Sequence, residues 1–573
     1  MDEGTRFWQA VEAGQTPDGE PSVRALGEGL VALMRYDVEV ADGALARVAG
    51  LPEAWRPAQT FAAVQRRTVS PHREALVEGA ATLTSALGRV PRTDPSWARL
   101  AHLRAALALR LADASGAESW ASVALLALTE ASSRRRSWAL DTLATAYARS
   151  GAWEEARATY AAAEALKRAD GDTLGVAIGA GSWGRMELDL GAPARAVAIA
   201  SSADDASLPS LTRVRLKTLE LEARVRAGEA APAVSTELAG LLDGVDDTHH
   251  LAGYASLALA RRVHAAGEDP AALLERAGRS LHLPLGAALR SYWARRMQPG
   301  STSDRDWLAS LSPAFDTLGV CTLPEVLATL HVASREEQAE ANPMLDALSA
   351  RVAQSNNPLF FRWLDEAGER VDPRAASQRR MQRYLGPQAG ALEATARVEA
   401  TVVFSDLVGF TRRSVELSPE AVMDTVRSVF ELAMPLLLTH RLEPLQYLGD
   451  GLLALAVGED HEARGLAFAE ALCQRMHRVS AVRASYRGDA ALHRMNVRCG
   501  VASGPVVRGP IGNLLRTEHL AIGLTTNRAA RLQSYAEPDE VICDAALSER
   551  GERFEVSPKG LDTFAARRIA LDC

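Results

Sequence analysis

Apolar residues recur at helical spacing through most of the first 370 positions, and the pattern changes only near residue 400. The spacing predicts helices in residues 1–95, helix pairs in residues 96–300 and further helices from Asp306 to Arg370. Alanine and leucine are abundant, and both favour helices, whereas aromatic residues make up only 5% of the chain. We therefore predict an all-helical N-terminal region.

Glycines recur in residues 96–300 at intervals of 35 to 40 residues, about the length of one helix–turn–helix unit. Each is followed five residues later by an alanine; the pairs are Gly116 and Ala121, Gly151 and Ala156, Gly191 and Ala196, Gly228 and Ala233, and Gly267 and Ala272. Such a glycine ends a helix in a left-handed turn, and a small alanine lets the next helix approach closely. The alternative is an irregular helical bundle with coincidental glycines.

Beyond residue 400 the pattern shifts to short apolar runs that are typical of strands. Residues 401–404 are β-branched and aromatic and too few for a helix. The runs 445–448 and 452–457 flank a Gly-Asp-Gly sequence, which is typical of a tight hairpin. Alternation interrupted by glycine predicts a bent strand over 497–509, and residues 523–532 predict a helix.

Length and charge narrow the class of protein. A chain of 573 residues is too long for one hydrophobic core and should form two or three domains. Its apolar fraction of 47% suits globular packing. The net charge is −8 and the one basic block, Arg134–Arg136, reads as a solvated helix start, so nucleic acid is disfavoured as a partner.

Cysteine usage and hydropathy predict a cytoplasmic protein. The five cysteines show no metal-ligand spacing, which favours a reduced compartment; they are Cys321, Cys473, Cys499, Cys543 and Cys573. We expect neither a signal segment in the acidic start nor a membrane span, because no run of about 18 apolar residues exists.

Breaks in the helical pattern predict the domain boundaries. A stretch containing glycine, proline and serine at 298–304 ends the first array, and a helix stopped by Gly386-Pro387 connects to the strand at Thr401. The expected divisions are a helical N-terminal region (1–95), helix-pair repeats (96–300), a helical region with a connector (301–394) and a C-terminal domain (395–573).

Four polar side chains in the C-terminal domain are candidates for chemistry. Asp406 follows a buried run, where an ionised carboxylate is costly unless it is paired or binds a metal. Asp450 lies in the predicted hairpin turn, and Asn527 and Arg531 are four residues apart and so project from one helix face. Taken singly, each has an ordinary explanation, since Asp often opens turns and caps helices.

In this order and spacing, these features resemble the class III nucleotidyl cyclase catalytic domain of adenylyl and guanylyl cyclases. The matching blocks are Phe404–Thr411, Gly449–Gly451, the bent strand at 497–509, the Asn-x-Ala-x-Arg pattern at 527–531 and Pro558–Leu561. The glycine repeats resemble tetratricopeptide repeats, most closely in residues 138–166. The resemblances imply a multidomain fold, with all-α helical repeats followed by an α+β, ferredoxin-like cyclase domain.

The resemblance to cyclases implies a reaction and a set of site residues. The ribose 3′-hydroxyl of a nucleoside triphosphate attacks the α-phosphorus, and a 3′,5′-cyclic monophosphate and pyrophosphate are formed. Two Mg²⁺ or Mn²⁺ ions are implied, held by Asp406, Asp450 and the Leu407 carbonyl. Asn527 would orient the ribose, and Arg531 would stabilise charge at the α-phosphate. The further substrate contacts implied are Val408, Gly409, Phe410 and Thr411 through their amides, Gln446 and Leu520 at the base, and Arg516 and Lys559 at the phosphates.

The resemblance also implies partners. In the family the metal pair and the Asn/Arg pair of one site come from different subunits, so a homodimer through the cyclase domain is expected. The helical repeats would bind an unidentified protein or peptide and regulate the cyclase.

Two positions depart from the family pattern and leave alternatives open. Gln446 stands where adenine-specific members have lysine, and Leu520 stands where they have Asp or Thr. We expect ATP as the substrate, with GTP or a pyrimidine triphosphate as alternatives. A cyclase-like module that binds nucleotide or protein without turnover is the alternative from a different functional class.

Overall fold

The computed structural model describes residues 3–34, 38–68, 73–128, 133–298, 300, 302–315, 321–355, 357–385, 396–486, 494–512, 517–558 and 562–571. The chain divides into two compact units, Met1–Asp246 and Asp247–Cys573. In the described ranges, no helix combines the length and the hydropathy needed to cross a membrane.

The first unit is entirely helical in its described part. Consecutive helices pack in pairs, such as α6 with α7, α8 with α9 and α10 with α11. The helices are α1 (Glu3–Glu12), α2 (Pro21–Met34), α3 (Val38–Leu45), α4 (Arg56–Thr68), α5 (Arg73–Leu87), α6 (Pro95–Arg110), α7 (Ala114–Ala127), α8 (Ser133–Ser150), α9 (Trp153–Ala169), α10 (Thr173–Asp189), α11 (Pro193–Ala203), α12 (Ser210–Arg226) and α13 (Pro232–Leu242).

Four of the five repeat glycines have the predicted left-handed conformation. Gly151, Gly191, Gly228 and Gly267 lie at helix ends with φ between 78° and 85°. The prediction for Gly116 is wrong, because it lies inside α7, where its amide donates to the capping Asp113 carboxylate at 2.8 Å. In that turn the left-handed position belongs to a non-glycine residue, Ala112, with φ 63°.

The paired alanines also follow the prediction only in part, and the exceptions fall at different repeats. Ala121, Ala156 and Ala196 are fully buried, as close helix packing requires. Ala233 and Ala272 are exposed, so the predicted close approach at these two positions is wrong. The pattern therefore describes the middle of the array better than its end.

In its described residues, the second unit begins with eight helices: α14 (His250–Ala265), α15 (Ala271–Ser280), α16 (Pro284–Met297), α17 (Asp304–Phe315), α18 (Leu323–Ala333), α19 (Gln338–Ser355), α20 (Pro358–Val371) and α21 (Pro373–Leu385). The break between α16 and α17 falls at the predicted hinge. Arg383 of α21 pairs with Asp365 of α20 at 2.8 Å, and Arg379 pairs with Asp346 of α19 at 2.8 Å. The Gly386-Pro387 stop lies outside the described residues.

A mixed α/β domain follows, so the predicted order of fold classes is confirmed. Its strands are β1 (Ala396–Leu407), β2 (Glu443–Leu448), β3 (Gly451–Val457), β4 (Val497–Gly512), β5 (Thr517–Ile522), β6 (Glu540–Asp544), β7 (Glu552–Val556) and β8 (Phe564–Ala570). Its helices are α22 (Phe410–Glu416), α23 (Pro419–His440), α24 (His461–Tyr486) and α25 (Leu524–Tyr535).

The described strands form one sheet in the order β2-β3-β1-β4-β6-β8-β7, with β5 paired to β4. All pairings are antiparallel except β4 with β6. Helix α25 packs on one face through Ala529 and Leu532, which meet Val402 and Ala502 in one apolar cluster. Helix α24 packs on the other face, where a Cβ at Gly465 would lie 2.5 Å from the Thr401 side chain.

Candidate active site

Asp406 is the penultimate residue of β1, so the predicted strand is longer than residues 401–404 and contains this carboxylate. Its register partner on β4 is Arg498. The Arg498 guanidinium donates to Asp406 Oδ2 from Nη2 at 2.7 Å and from Nε at 3.0 Å. Both side chains are about one-third exposed, so the pair is open to a ligand.

A second group holds the same carboxylate from the helix above. Gln533 Nε2 of α25 donates to Asp406 Oδ2 at 3.2 Å. The helix can come this close because Gly500, beneath it on β4, has no side chain. A Cβ at Gly500 would lie 2.1 Å from the Ala529 carbonyl oxygen and 2.2 Å from the Gln533 backbone nitrogen.

Asp450 lies in the two-residue turn between β2 and β3, which confirms the predicted hairpin. Gly449 before it has φ 65°, a conformation that glycine adopts without strain. Burial raises the pKa of Asp450, and the nearby charge of Asp406 raises it further, while the Arg413 and Arg498 guanidiniums act in the opposite direction. The strand register agrees, because Ser405 pairs with Leu452, so the next residue, Asp406, lies beside the turn that carries Asp450.

The Leu407 carbonyl points toward the same region. The Val408 amide donates to the Asn496 carbonyl on the β4 side at 3.0 Å. Because a trans peptide directs its C=O opposite to its N–H, the Leu407 carbonyl points away from β4 and toward the β3 side. This bond also engages the Val408 amide, which the sequence had assigned to phosphate binding. The amides of Gly409, Phe410 and Thr411 begin α22.

Asn527 and Arg531 lie on the exposed side of α25, whereas Ala529, Leu532 and Gln533 face the sheet. Within one chain the structure therefore brings Asp406 and Asp450 together but leaves Asn527 and Arg531 at the surface. Between them, Arg528 pairs with the buried Asp544 carboxylate and stacks on the Phe564 ring at 4.3 Å, which anchors the helix.

Gln446 and Leu520, the two predicted base contacts, lie on β2 and β5. Both residues are partly buried, and the two strands lie against each other. The predicted phosphate contacts Arg516 and Lys559 lie outside the described residues.

The donor set suits hard divalent cations. Two carboxylates and one carbonyl are oxygen ligands of the type that Mg²⁺ prefers, and Mg²⁺ commonly completes its shell with substrate phosphates and water. In the part of the chain that the structure describes, no group of three His, Cys, Asp or Glu side chains could hold a metal alone. The mutual repulsion of Asp406 and Asp450 is what a bound cation would relieve.

Sequence reasoning missed Arg498 and Gln533. Both contacts depend on strand register and helix placement, which no local pattern reveals. The signals present were an arginine within the block at 497–509 and a glutamine directly after the predicted helix at 523–532.

Comparisons with known proteins identify the family that the α/β domain resembles. The family model of the adenylate and guanylate cyclase catalytic domain matches residues 392–563. The receptor-type guanylate cyclase Gyc76C of Drosophila melanogaster is 26% identical over 170 residues, which is 28% of this chain and 11% of that protein. An adenylate cyclase of Mycobacterium bovis is 30% identical over 188 residues, 30% of this chain and 41% of that protein.

The solved structure of the guanylyl cyclase Cya2 aligns over 30% of this chain and 93% of its own, with 24% identity and a TM-score of 0.28. The chain spans less than half the length of either curated relative described above. The family model matches only within the C-terminal part of the chain. Residues 392–563 are an adenylate and guanylate cyclase catalytic domain, preceded by a long region that is all-helical in its described residues.

Proposed function

We propose that the protein is a nucleotidyl cyclase that converts ATP to 3′,5′-cyclic AMP and pyrophosphate. The observation that carries the proposal is the convergence of Asp406 and Asp450, from separate elements, at one end of the sheet. Arg498 offsets the charge of Asp406, and burial together with Asp406 still raises the pKa of Asp450, so a divalent cation would favour the ionised form of both carboxylates. The fold also holds each carboxylate in place. Arg498 and Gln533 donate hydrogen bonds to Asp406, and a tight hairpin positions Asp450.

In the proposed reaction the ribose 3′-hydroxyl attacks the α-phosphorus, and the bond to the bridging oxygen of pyrophosphate breaks. Two Mg²⁺ or Mn²⁺ ions would supply charge neutralisation and favour ionisation of the attacking hydroxyl. Asp406, Asp450 and the Leu407 carbonyl would hold the ions. Arg498 and Gln533 would keep the Asp406 carboxylate oriented, because both donate to the same oxygen.

We propose that Asn527 and Arg531 act on the α-phosphate end from the partner subunit of a homodimer. Their exposure within one chain supports this arrangement, since neither faces the carboxylates of its own chain. Large apolar side chains are also exposed at the start of α25 and on the adjoining pair of strands: Val507 by 46%, Ile522 by 56% and Leu524 by 61%. A cluster of this kind is typical of a surface that another protein covers.

Substrate choice rests on Gln446 and Leu520. The glutamine amide can both donate to and accept from a purine edge, whereas leucine offers only apolar contact. The adenylate cyclase reported above is one relative whose substrate agrees with ATP, and GTP is the alternative.

We also propose that the helical region regulates the catalytic domain. Helix α21 contacts both α23 and β2, the strand that carries Gln446. A change in the position of α21 when a protein or peptide binds the helical region would shift β2 and, with it, Gln446.

Purified protein incubated with Mn²⁺ and each of the four triphosphates tests the activity. A cyclic product from ATP in excess of the others is expected, and absence of any cyclic product would favour a nucleotide-binding module without turnover.

Mixing two inactive variants tests the shared site. Asp406→Ala and Asn527→Ala chains, each inactive alone, should recover up to about a quarter of wild-type activity, since half of randomly formed dimers are mixed and carry one intact site. A mixture of Asp406→Ala with Asp450→Ala chains is the matched control and should stay inactive. No recovery in the first mixture would contradict the dimer model.

A further inference from the structure

A buried ion pair joins β4 to β2, the strand that carries Gln446. Arg508 on β4 is 0% exposed, and its guanidinium donates to Glu443 on β2 from Nη2 to Oε1 at 2.6 Å and from Nε to Oε2 at 2.9 Å. The surroundings are apolar, since Val506 and Ala521 on either side belong to the main core cluster. Neither residue belongs to the set to which we assign metal binding or catalysis.

The pair joins two strands that are not neighbours in the sheet. β3 and β1 separate β2 from β4, so side chains on β2 and β4 would be too far apart in a flat sheet. Gly504, with φ 148°, lies within β4, and the β4–β5 hairpin beyond it approaches β2. The guanidinium and carboxylate therefore hold the curled end of the sheet in one position.

A β-bulge aligns this pair with Gln446. Glu443 is paired with Leu455 and Gln446 with Leu453, because the register shifts by one residue between Pro444 and Gln446. Leu453 and Leu455 both belong to the core face, so Glu443 and Gln446 project from the same face of β2 despite their odd spacing. The ion pair thus fixes β2 at a point three residues before Gln446, the proposed base contact.

We propose that Glu443 and Arg508 are positioning residues that determine base preference, by fixing β2 with Gln446 against β5 with Leu520. This inference rests on the proposed nucleotide site. An apolar pair of equal volume would serve stability as well or better, because desolvation offsets most of the attraction in a buried ion pair. What the bidentate geometry adds is a defined distance and orientation between the two strands.

The double variant Glu443→Leu/Arg508→Met tests the proposal, because it fills the site with apolar side chains of similar volume and should fold. The Kd of ATP and of GTP is measured with Mn²⁺, together with kcat/KM for each and the inhibition constant of pyrophosphate, which lacks a base. We expect the preference for ATP over GTP, expressed as the ratio of the two kcat/KM values or of the two association constants, to fall by at least about tenfold. The inhibition constant of pyrophosphate should change by less than about twofold.

Two further variants test whether the ion pair acts by positioning β2 or only by stabilising the fold. Glu443→Asp retains both charges with a shorter side chain, so it should keep more of the discrimination than the double variant does. Arg475→Met removes a buried guanidinium that donates to the Leu432 carbonyl elsewhere in the domain, and should lower the melting temperature without changing the ratio.

An unchanged ATP-to-GTP ratio in the folded double variant would overturn the inference, as would a wild type that binds both nucleotides equally. A wild type that binds nucleotide with a preference but forms no cyclic product would contradict the proposed function alone, because the ratio of Kd values still tests the ion pair.

Discussion

Gln533 donates a hydrogen bond to Asp406 Oδ2 at 3.2 Å, from the helix whose opposite side presents Asn527 and Arg531. One helix therefore supports a carboxylate of its own chain and, in the proposed dimer, completes the site of its partner. A displacement of α25 would disturb both sites at once, and this coupling shapes the predictions below.

Replacing Arg531 with alanine should remove catalysis and leave the fold intact. The side chain is exposed, so the free energy of unfolding should change by no more than about 0.5 kcal/mol. Loss of a group that stabilises transition-state charge should lower kcat by about 100- to 1000-fold. Thermal unfolding and steady-state kinetics measure the two effects, and Arg528→Ala, which removes the bond to Asp544, is the contrasting variant that should lose stability. A stable Arg531→Ala protein with normal kcat would remove Arg531 from the mechanism.

Asp450→Asn should raise the stability of the metal-free protein at pH 7. Burial and Asp406 raise the pKa of Asp450 in the folded state, so its ionised form opposes folding above that pKa. The gain should be less than about 1 kcal/mol, because water screens a half-exposed charge, and it should vanish as the pH falls and Asp450 of the wild type becomes protonated.

Cations should reverse the order of stability of the same two proteins. With Mn²⁺ and pyrophosphate at about 100 times Kd, the wild type should gain about 2.7 kcal/mol and Asp450→Asn much less. Melting curves with and without Mn²⁺ measure this without reference to turnover. Equal stabilisation of both proteins would show that Asp450 is not a ligand.

Gly500→Ala should be among the most damaging single substitutions in the domain. The new methyl group would lie about 2 Å from backbone atoms of α25, which cannot move as a flexible side chain can. We expect a loss of about 3 kcal/mol of unfolding free energy, together with loss of activity, since Gln533 and Asn527 would move with the helix. Gly451→Ala, whose Cβ would lie 2.8 Å from the Ser405 carbonyl oxygen, should be milder. An active and stable Gly500→Ala protein would contradict the packing described above.

Two glycines in the helical region should respond in opposite directions to alanine. Gly191 has φ 81° and Gly240 lies within α13, and a Cβ would contact nothing at either position. Gly191→Ala should cost about 1–2 kcal/mol because of backbone strain alone. Gly240→Ala should stabilise the protein by about 0.5–1 kcal/mol, because alanine favours a helix. Chemical denaturation of the two variants provides the comparison, and an equal effect would rule out the left-handed turn.

Local patterns predicted what local chemistry determines. The β-branched run at β1, the Gly-Asp-Gly hairpin and the helical array were all predicted because each signal lies within a few residues of the element. The environment of Asp406 was not predicted, since Arg498 and Gln533 are 92 and 127 residues away along the chain. Gly116 was misassigned because a helix-capping Asp113 overrides what a glycine alone suggests.

The same limit applies to the ion pair between Glu443 and Arg508. Each is an ordinary charged residue in an apolar run, and only the curl of the sheet brings them together. The bulge before Gln446 was not predicted either, because amino-acid composition does not reveal a shift in strand register.

The packing of Leu438 has a practical consequence for work with parts of this protein. This residue of α23, inside the region of sequence similarity, packs against the helical cluster that contains Phe361 and Leu364. The family model begins to match at residue 392, but the compact unit that contains the domain begins at Asp247. A fragment cut at 392 would uncover an apolar surface, whereas one cut at 247 would keep it covered. For this chain, the boundary visible to sequence comparison is not the boundary at which to divide the protein.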